Sequence, residues 1–279
     1  MASPNREQPY RGRRLLLLVL CLNLLALTVL LYLQLTKPSG AILEAADTPR
    51  QTLFQQTIDE AARVLPQAVS HQLFALSPAN SKLLWRDDAE GHWVKVVAWM
   101  NEDSYRRFYQ GKVGGTTPEG QPRIWVTLAP QVQEFCRNLT VDDQFSAAFR
   151  LKQYLGLDPN RRYQRFVELW VQPQDLFRPC PDPETDDTSC NLQLDRDHPP
   201  TVEGVADYVA FFDGLKVQSY SPDGAPWTRL GYTYDWVYGQ RAVGASEYML
   251  VPTARYLVEA DYSTDDYCRI KARPAVGGQ

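Results

Sequence analysis

The stretch HWVKVVAWM, residues 92–100, has an apolar side chain at almost every position. Consecutive side chains of a β-strand point to opposite faces of the sheet. One face would carry Val94, Val96 and Ala98, and the other Trp93, Val97 and Trp99. Because both faces are apolar, we expect a strand that other elements cover on both sides. Residues 82–86 predict an antiparallel partner strand, joined to it by a turn at residues 87–91.

The spacing of apolar residues predicts the other elements of the domain. Strands are predicted at residues 123–128, 165–171, 216–220, 232–238 and 246–251, and a mixed segment at residues 255–268. Helices are predicted at residues 49–65, 68–76, 103–110, 130–139, 142–155 and 202–214. Thr48 is expected to cap the first helix, and residues 112–122 are expected to form a flexible connection. We therefore expect an α+β fold, with a mixed or antiparallel sheet covered by helices.

A long hydrophobic segment precedes this domain. Residues 15–36, LLLLVLCLNLLALTVLLYLQLT, contain no charged side chain. A helix of about 20 apolar residues crosses the roughly 30 Å hydrocarbon core of a bilayer. The apolar part of a cleaved secretion signal is shorter, about 7–15 residues, although Ser39 and Ala41 provide the small residues that a signal peptidase needs. We expect an uncleaved transmembrane helix that binds the lipid bilayer through residues 15–36.

The charges beside this segment predict its orientation. Four arginines and one glutamate give residues 1–14 a charge of +3. Basic flanks of a membrane span stay on the cytoplasmic side. We therefore predict a cytoplasmic tail at residues 1–14, the transmembrane helix at residues 15–36, a linker at residues 37–48 and an exported domain at residues 49–279. The exported domain is expected in the periplasm, or in a lumen if the host is eukaryotic.

The net charge limits the classes of partner. The whole chain carries −4 and residues 1–14 carry +3, which leaves −7 on the remainder. Nucleic-acid-binding proteins need a basic face. We therefore expect no nucleic-acid partner.

The cysteines predict how the exported domain is stabilised. Four of the five cysteines follow the hydrophobic segment: Cys136, Cys180, Cys190 and Cys268. An even number of cysteines in an oxidising compartment indicates disulfides. We expect the pairs Cys180–Cys190 and Cys136–Cys268. Metal ligation is the alternative, but the sequence has no CxxC spacing and its histidines do not cluster.

Residues 172–200 form a loop rich in proline and acidic residues. Between Cys180 and Cys190 it carries Asp182, Glu184, Asp186 and Asp187. Proline prevents regular structure in most of this segment. Clustered carboxylates can hold calcium, but a solvated acidic loop is the commoner explanation. A long loop closed by a disulfide is also a candidate surface for a partner or ligand.

Aromatic residues recur at every second position near the C-terminal end of the domain. They are Tyr232, Tyr234, Trp236 and Tyr238. In a strand, all four rings would lie on one face. Such a face either stacks on a sugar or a partner protein, or fills the core beneath a helix. We favour the core, because large aromatic residues at strand spacing usually pack inside.

The sequence contains none of the common catalytic signatures. We find no GxSxG, HExxH, Walker or dinucleotide-binding motif and expect no cofactor. Asp195 and Asp197 form a DxD triplet, which in luminal glycosyltransferases holds a metal ion. We expect an envelope protein whose exported domain binds a protein partner, without catalysis, as a subunit of a membrane complex. The alternative is a membrane-tethered enzyme, either a glycosyltransferase-like protein that uses the triplet or a hydrolase.

Overall fold

The computed structural model describes residues 40–139, 146–237 and 242–269. The predicted transmembrane helix at residues 15–36 and Tyr238 lie outside the described residues. Within the described ranges, no helix combines the length and the apolar character that crossing a membrane requires. The chain divides into Met1–Pro49 and a compact unit, Arg50–Gln279. The packing described below belongs to this second unit.

Six helices and nine strands are described. The helices are α1 (Gly40–Ala61), α2 (Glu102–Phe108), α3 (Gln131–Arg137), α4 (Ala147–Tyr154), α5 (Tyr208–Ser219) and α6 (Thr264–Arg269). The strands are β1 (Trp85–Asp88), β2 (Gly91–Met100), β3 (Gly114–Thr116), β4 (Trp125–Leu128), β5 (Arg165–Val171), β6 (Leu176–Phe177), β7 (Tyr232–Asp235), β8 (Ala242–Leu250) and β9 (Arg255–Ser263). Short 3-10 helices lie at Pro66–Ala68 and Pro173–Asp175.

The strands form one antiparallel sheet. Its order is β3-β9-β5-β2-β4-β8-β6, and β1 pairs with β2 while β7 pairs with β8. Every pairing between the named strands is antiparallel. The prediction of an α+β fold with an antiparallel sheet is confirmed.

Strand β2 is covered on both faces, as its sequence predicts. Val94, Val96 and Ala98 belong to the largest apolar cluster, on one side of the sheet. Val97 belongs to a second cluster with Phe166 of β5. The predicted hairpin is also present, with β1 and β2 paired from Trp85 opposite Val94 onwards.

Both predicted disulfides are present. Cys136 is bonded to Cys268 and thereby joins α3 to α6. Cys180 is bonded to Cys190 within the acidic loop. Cys136 is buried in the second apolar cluster, where its position on the apolar stripe of the helix predicts it.

Two predicted helices differ near the N-terminal end of the domain. Helix α1 begins at Gly40 rather than at Thr48, because the alanine-rich residues before Pro49 favour helix. Residues 68–76 are not helical. Leu73 and Leu76 instead donate their backbone N–H groups to the carbonyls of Thr188 and Thr185, at 3.0 and 2.6 Å. Tertiary hydrogen bonds with the acidic loop therefore outweigh the helical pattern of this segment.

Two further predictions are corrected, and a third lies partly outside the described residues. The predicted strand at residues 216–220 is the end of α5, which begins where the Asp207 side chain accepts a hydrogen bond from the backbone N–H of Ala210. Residues 114–116 form β3 rather than a flexible connection, because they pair with β9. The helix predicted at residues 142–155 is described as α4, and residues 140–145 lie outside the described part of the chain.

Candidate functional site

The sheet opens between β2 and β4. The register of these strands pairs Val96 with Leu128 and Val97 with Thr127. Beyond that point β2 continues to Met100 and β4 continues back to Trp125, yet the two strands are no longer paired. Each keeps its other neighbour, because β2 stays paired with β5 and β4 with β8. We call the space between residues 98–100 and residues 125–126 the β2–β4 cleft.

A large cavity occupies the β2–β4 cleft and extends from it. Its volume is about 1530 Å³, and residues 98–100 and 125–126 line it. Small-molecule pockets usually have volumes of about 300–1,000 Å³. The cavity therefore has room for more than one compact small molecule.

Three residues in one row form the inner end of the cleft. Val97 lies opposite Thr127, and Thr127 lies opposite Glu247 of β8. Directly opposed residues of antiparallel strands project from the same face of a sheet. All three residues line the cavity. The register therefore brings the Glu247 side chain to the point where the two strands separate.

One oxygen of the Glu247 carboxyl is buried without a partner among the described residues. The residue is 6% exposed, and its Oε1 atom has no hydrogen-bond partner among the described residues. Burial raises the pKa of Glu247 to about 8. The carboxyl group therefore keeps its proton at pH 7. A buried polar group without a hydrogen bond is costly, and it indicates a ligand or water that completes it.

A second polar atom on the cavity wall lacks a partner. Trp227 is buried and lines the same cavity, and its indole Nε1–H has no acceptor among the described residues. The main chain on either side of the ring is fixed. The Trp227 N–H donates to the carbonyl of Ala225 at 2.7 Å, and the Trp227 carbonyl accepts from the Tyr220 hydroxyl at 2.8 Å. The cavity thus offers one unused carboxyl and one unused N–H donor.

Several aromatic side chains also line the cavity. Trp99, Trp125 and Tyr163 line the cavity together with Trp227. Phe108 and Trp125 are also among the largest exposed apolar side chains of the described residues. Exposed aromatic residues beside a cavity are typical of binding sites.

Charged side chains at the cavity are more exposed than Glu247. Five of them line it and are half-buried or exposed: Lys112, Arg123, Asp158, Arg161 and Asp223. Burial is the only cause of the raised pKa of Glu247, and none of the described residues forms an ion pair with it. A cation that enters the cavity can pair with this carboxyl once the carboxyl releases its proton.

Comparison with known proteins gives no relative. No family model matches the chain, and no curated protein or solved structure is similar to it. The site is therefore interpreted from its own geometry.

The predicted acidic loop is organised by an arginine that the sequence does not single out. Arg178 is fully buried, and its guanidinium donates to the Asp187 carboxylate and to several backbone carbonyls of the loop. The Asp182 carboxylate accepts from the Asn191 N–H at 2.6 Å, and burial raises the pKa of Asp182 to about 6. Glu184 and Asp186 are exposed.

The same loop brings three carboxylates close to one another. Oxygen atoms of Asp182, Glu184 and Asp187 lie within 4.8 Å of one another. This spacing allows a cation, as the calcium alternative requires. The buried Arg178 guanidinium already supplies positive charge to Asp187, however, so the cluster has a structural explanation without a metal.

The DxD triplet serves a local turn. The Asp195 carboxylate accepts hydrogen bonds from the backbone N–H groups of Asp197 and His198, at 3.0 and 2.9 Å. Between the two acids, Arg196 pairs with Asp213 of α5 at 2.8 Å. Asp195 and Asp197 are not among the described groups whose spacing fits a metal ion.

The described members of the aromatic stripe lie inside the protein. Tyr232, Tyr234 and Trp236 are at most 5% exposed. The Tyr232 hydroxyl donates to the Ala68 carbonyl at 2.7 Å, and the Tyr234 hydroxyl donates to the Glu60 carboxylate at 2.5 Å. This arrangement corresponds to the core alternative, in which a helix covers the rings. Only Tyr234 of the three lines the cavity.

Sequence reasoning missed the cavity and Glu247. The local signal was an acidic residue in the mostly apolar stretch ASEYMLV, residues 245–251. The separation of β2 from β4 has no comparable signal, because strand register depends on pairing between distant segments.

Proposed function

We propose that this chain is a single-pass membrane-anchored protein whose exported domain binds a protein partner without catalysing a reaction. It would act as a subunit of a membrane complex in the periplasm, or in a lumen if the host is eukaryotic. The hydrophobic residues 15–36 and the basic residues before them support the anchor and its orientation. The two disulfides are typical of an oxidising compartment.

One observation supports binding most directly. The β2–β4 cleft ends at a buried carboxyl, Glu247, that no described residue pairs with. Such a group lowers the stability of the free protein. A partner that completes its hydrogen bonds would remove this cost.

A second function has one observation in its favour. A carboxyl with a pKa of about 8 inside a cavity is also suited to act as a general acid, which would make the protein a membrane-tethered hydrolase. Glycoside hydrolysis needs two carboxyl groups on either side of the bond. The other carboxylates that line the cavity, Asp158 and Asp223, are half-buried or exposed. Binding therefore remains the better-supported proposal.

Site-specific crosslinking in cells of the native host tests the binding proposal. A photo-crosslinking amino acid replaces Phe108 or Trp125, which line the cavity, or Val217, which is exposed on α5 and does not line it. We expect one protein adduct of defined mass from positions 108 and 125 and none from position 217. The same adduct from all three positions, or no adduct from positions 108 and 125, would contradict binding in the cleft.

A further inference from the structure

We propose that the β2–β4 cleft receives an extended segment of the partner that carries a lysine or an arginine. The backbone of this segment hydrogen-bonds to the free edges of β2 and β4, and its cationic group pairs with the Glu247 carboxyl. This inference rests on the proposed function, because it identifies the part of the protein partner that binds.

The hydrogen-bond pattern shows which backbone groups face the cleft. In an antiparallel pair, alternate residues exchange hydrogen bonds with one neighbouring strand. Ala129 donates to the carbonyl of Lys95, so odd-numbered residues of β2 face β4. Leu250 donates to the carbonyl of Ile124, so even-numbered residues of β4 face β8 and odd-numbered residues face β2. The backbone groups of Trp99 and Trp125 therefore face the cleft, where the ladder would continue.

Two facing strand edges favour a polypeptide as the occupant. Each edge presents backbone N–H and C=O groups that can pair with an added strand. Trp99 and Trp125 lie at the next hydrogen-bonded position after Val97 and Thr127, and this pair is not formed. A small apolar molecule would leave these backbone groups without hydrogen bonds. An extended peptide would satisfy them.

The wall of the cavity favours a cation on that peptide. Glu247 is buried and unpartnered at the inner end of the cleft. Trp99, Trp125, Tyr163 and Trp227 line the same cavity, and aromatic faces attract ammonium and guanidinium groups. The chain beyond residue 14 carries a net charge of −7, which attracts a basic partner over longer distances. The indole N–H of Trp227, which has no acceptor among the described residues, can donate to a backbone carbonyl of the segment.

A randomised peptide pool tests this inference directly. The purified full-length chain in detergent is immobilised and incubated with seven-residue peptides of random sequence, and the retained peptides are sequenced by mass spectrometry. We expect lysine and arginine to be enriched at least about fivefold at one position. The enrichment should disappear with Glu247→Gln, which keeps the shape of the side chain but cannot release a proton to become a carboxylate when the cation binds. Glu119→Gln, an exposed glutamate, is the matched control and should retain the enrichment.

Resynthesis of one retained peptide tests the strand pairing. N-methylation of single backbone nitrogens removes one hydrogen-bond donor at a time. We expect affinity losses of at least tenfold at neighbouring positions, because successive N–H groups of a strand held between two edges face β2 and β4 in turn. Losses at no position, or only at alternate positions, would overturn pairing with both edges. Binding of n-butylammonium as tightly as the peptide would also overturn it, in favour of a small organic cation.

A second variant keeps the inference falsifiable if Glu247→Gln fails to fold. Trp227→Phe removes the indole N–H and part of the ring but keeps an aromatic face, and it should weaken the retained peptide and its norleucine analogue by the same factor. Absence of lysine and arginine enrichment on the folded wild-type chain would overturn the inference alone, provided that the crosslinks at positions 108 and 125 persist. Loss of those crosslinks as well would overturn the proposed function with it.

Discussion

Thr127 lies directly opposite Glu247, at the last position where β4 is paired with β2 as well as with β8. One short strand thus fixes both the depth of the cleft and the place of its carboxyl group. The sequence of β4, WVTL, favours a strand, because Val126 and Leu128 point to the same face and are buried in the largest apolar cluster. The unpaired polar group is therefore held on a rigid part of the sheet.

The stability of the protein should fall as the pH rises from 6 to 8. The pKa of Glu247 is raised from 4.5 to about 8 in the folded chain. Between these values the folded chain holds a proton that the unfolded chain has lost, so each pH unit lowers the unfolding free energy by about 1.4 kcal/mol. We expect a loss of about 2–3 kcal/mol over this range, measured by urea denaturation. Asp182, whose pKa is raised to about 6, contributes less to this loss, because the folded chain releases that proton near the lower end of the interval.

Glu247→Gln should remove most of this pH dependence. Glutamine resembles the protonated carboxyl, so the variant should match the wild type near pH 6 and exceed its stability by about 2–3 kcal/mol near pH 8. Glu119→Gln changes an exposed residue and should leave the slope as it is. An unchanged slope in Glu247→Gln would show that the carboxyl is not buried in its protonated form.

Arg178→Met should destabilise the domain by about 3–5 kcal/mol. The fully buried guanidinium donates to the carboxylate of Asp187 and to loop carbonyls, and its removal leaves these acceptors without donors. Arg196→Met breaks an exposed pair with Asp213 and should cost less than about 1 kcal/mol. Urea denaturation of both variants measures the difference. Similar losses in the two would mean that the acidic loop does not depend on Arg178.

The alternation of apolar residues was enough to predict the central strands. Strand β2 has apolar residues on both faces and is covered on both, as expected, and the predicted strand at residues 165–171 is β5. The cysteine spacing likewise predicted both disulfides, because a short acidic loop with little core of its own favours Cys180–Cys190. These features depend on local pattern or on the small number of possible pairings.

Features that depend on distant contacts could not be predicted. Residues 68–76 have a helical pattern, but Leu73 and Leu76 bond to the acidic loop more than one hundred residues away. Arg178 has an ordinary sequence context, and only the folded loop shows that its charge is buried. Glu247 was overlooked for the same reason. Its significance comes from the missing β2–β4 pairing, which no single segment encodes.

The hydrophobic residues 15–36 should hold the protein in a membrane with its C-terminal domain outside the cytoplasm. We expect the full-length chain to stay with membranes after alkaline carbonate extraction. Protease added to spheroplasts of a bacterial host should digest the domain and leave a short membrane fragment, whereas in sealed microsomes of a eukaryotic host the domain should be protected. Replacing Leu24 and Leu27 by arginine disrupts the apolar segment and should release the chain from the membrane. A domain that protease reaches only after the inner membrane is broken would contradict the predicted orientation.

The two disulfides should differ in what they contribute to stability. Cys136 and Cys268 are separated by 132 positions, whereas Cys180 and Cys190 are separated by 10. If loop-closure entropy in the unfolded chain governs the effect, the long closure contributes about 5 kcal/mol and the short one about 2.7 kcal/mol. Replacing each pair by alanines should therefore lower the denaturation midpoint more for Cys136 and Cys268. Equal effects would show that native contacts of the short loop, such as those of Arg178, offset the difference in loop length.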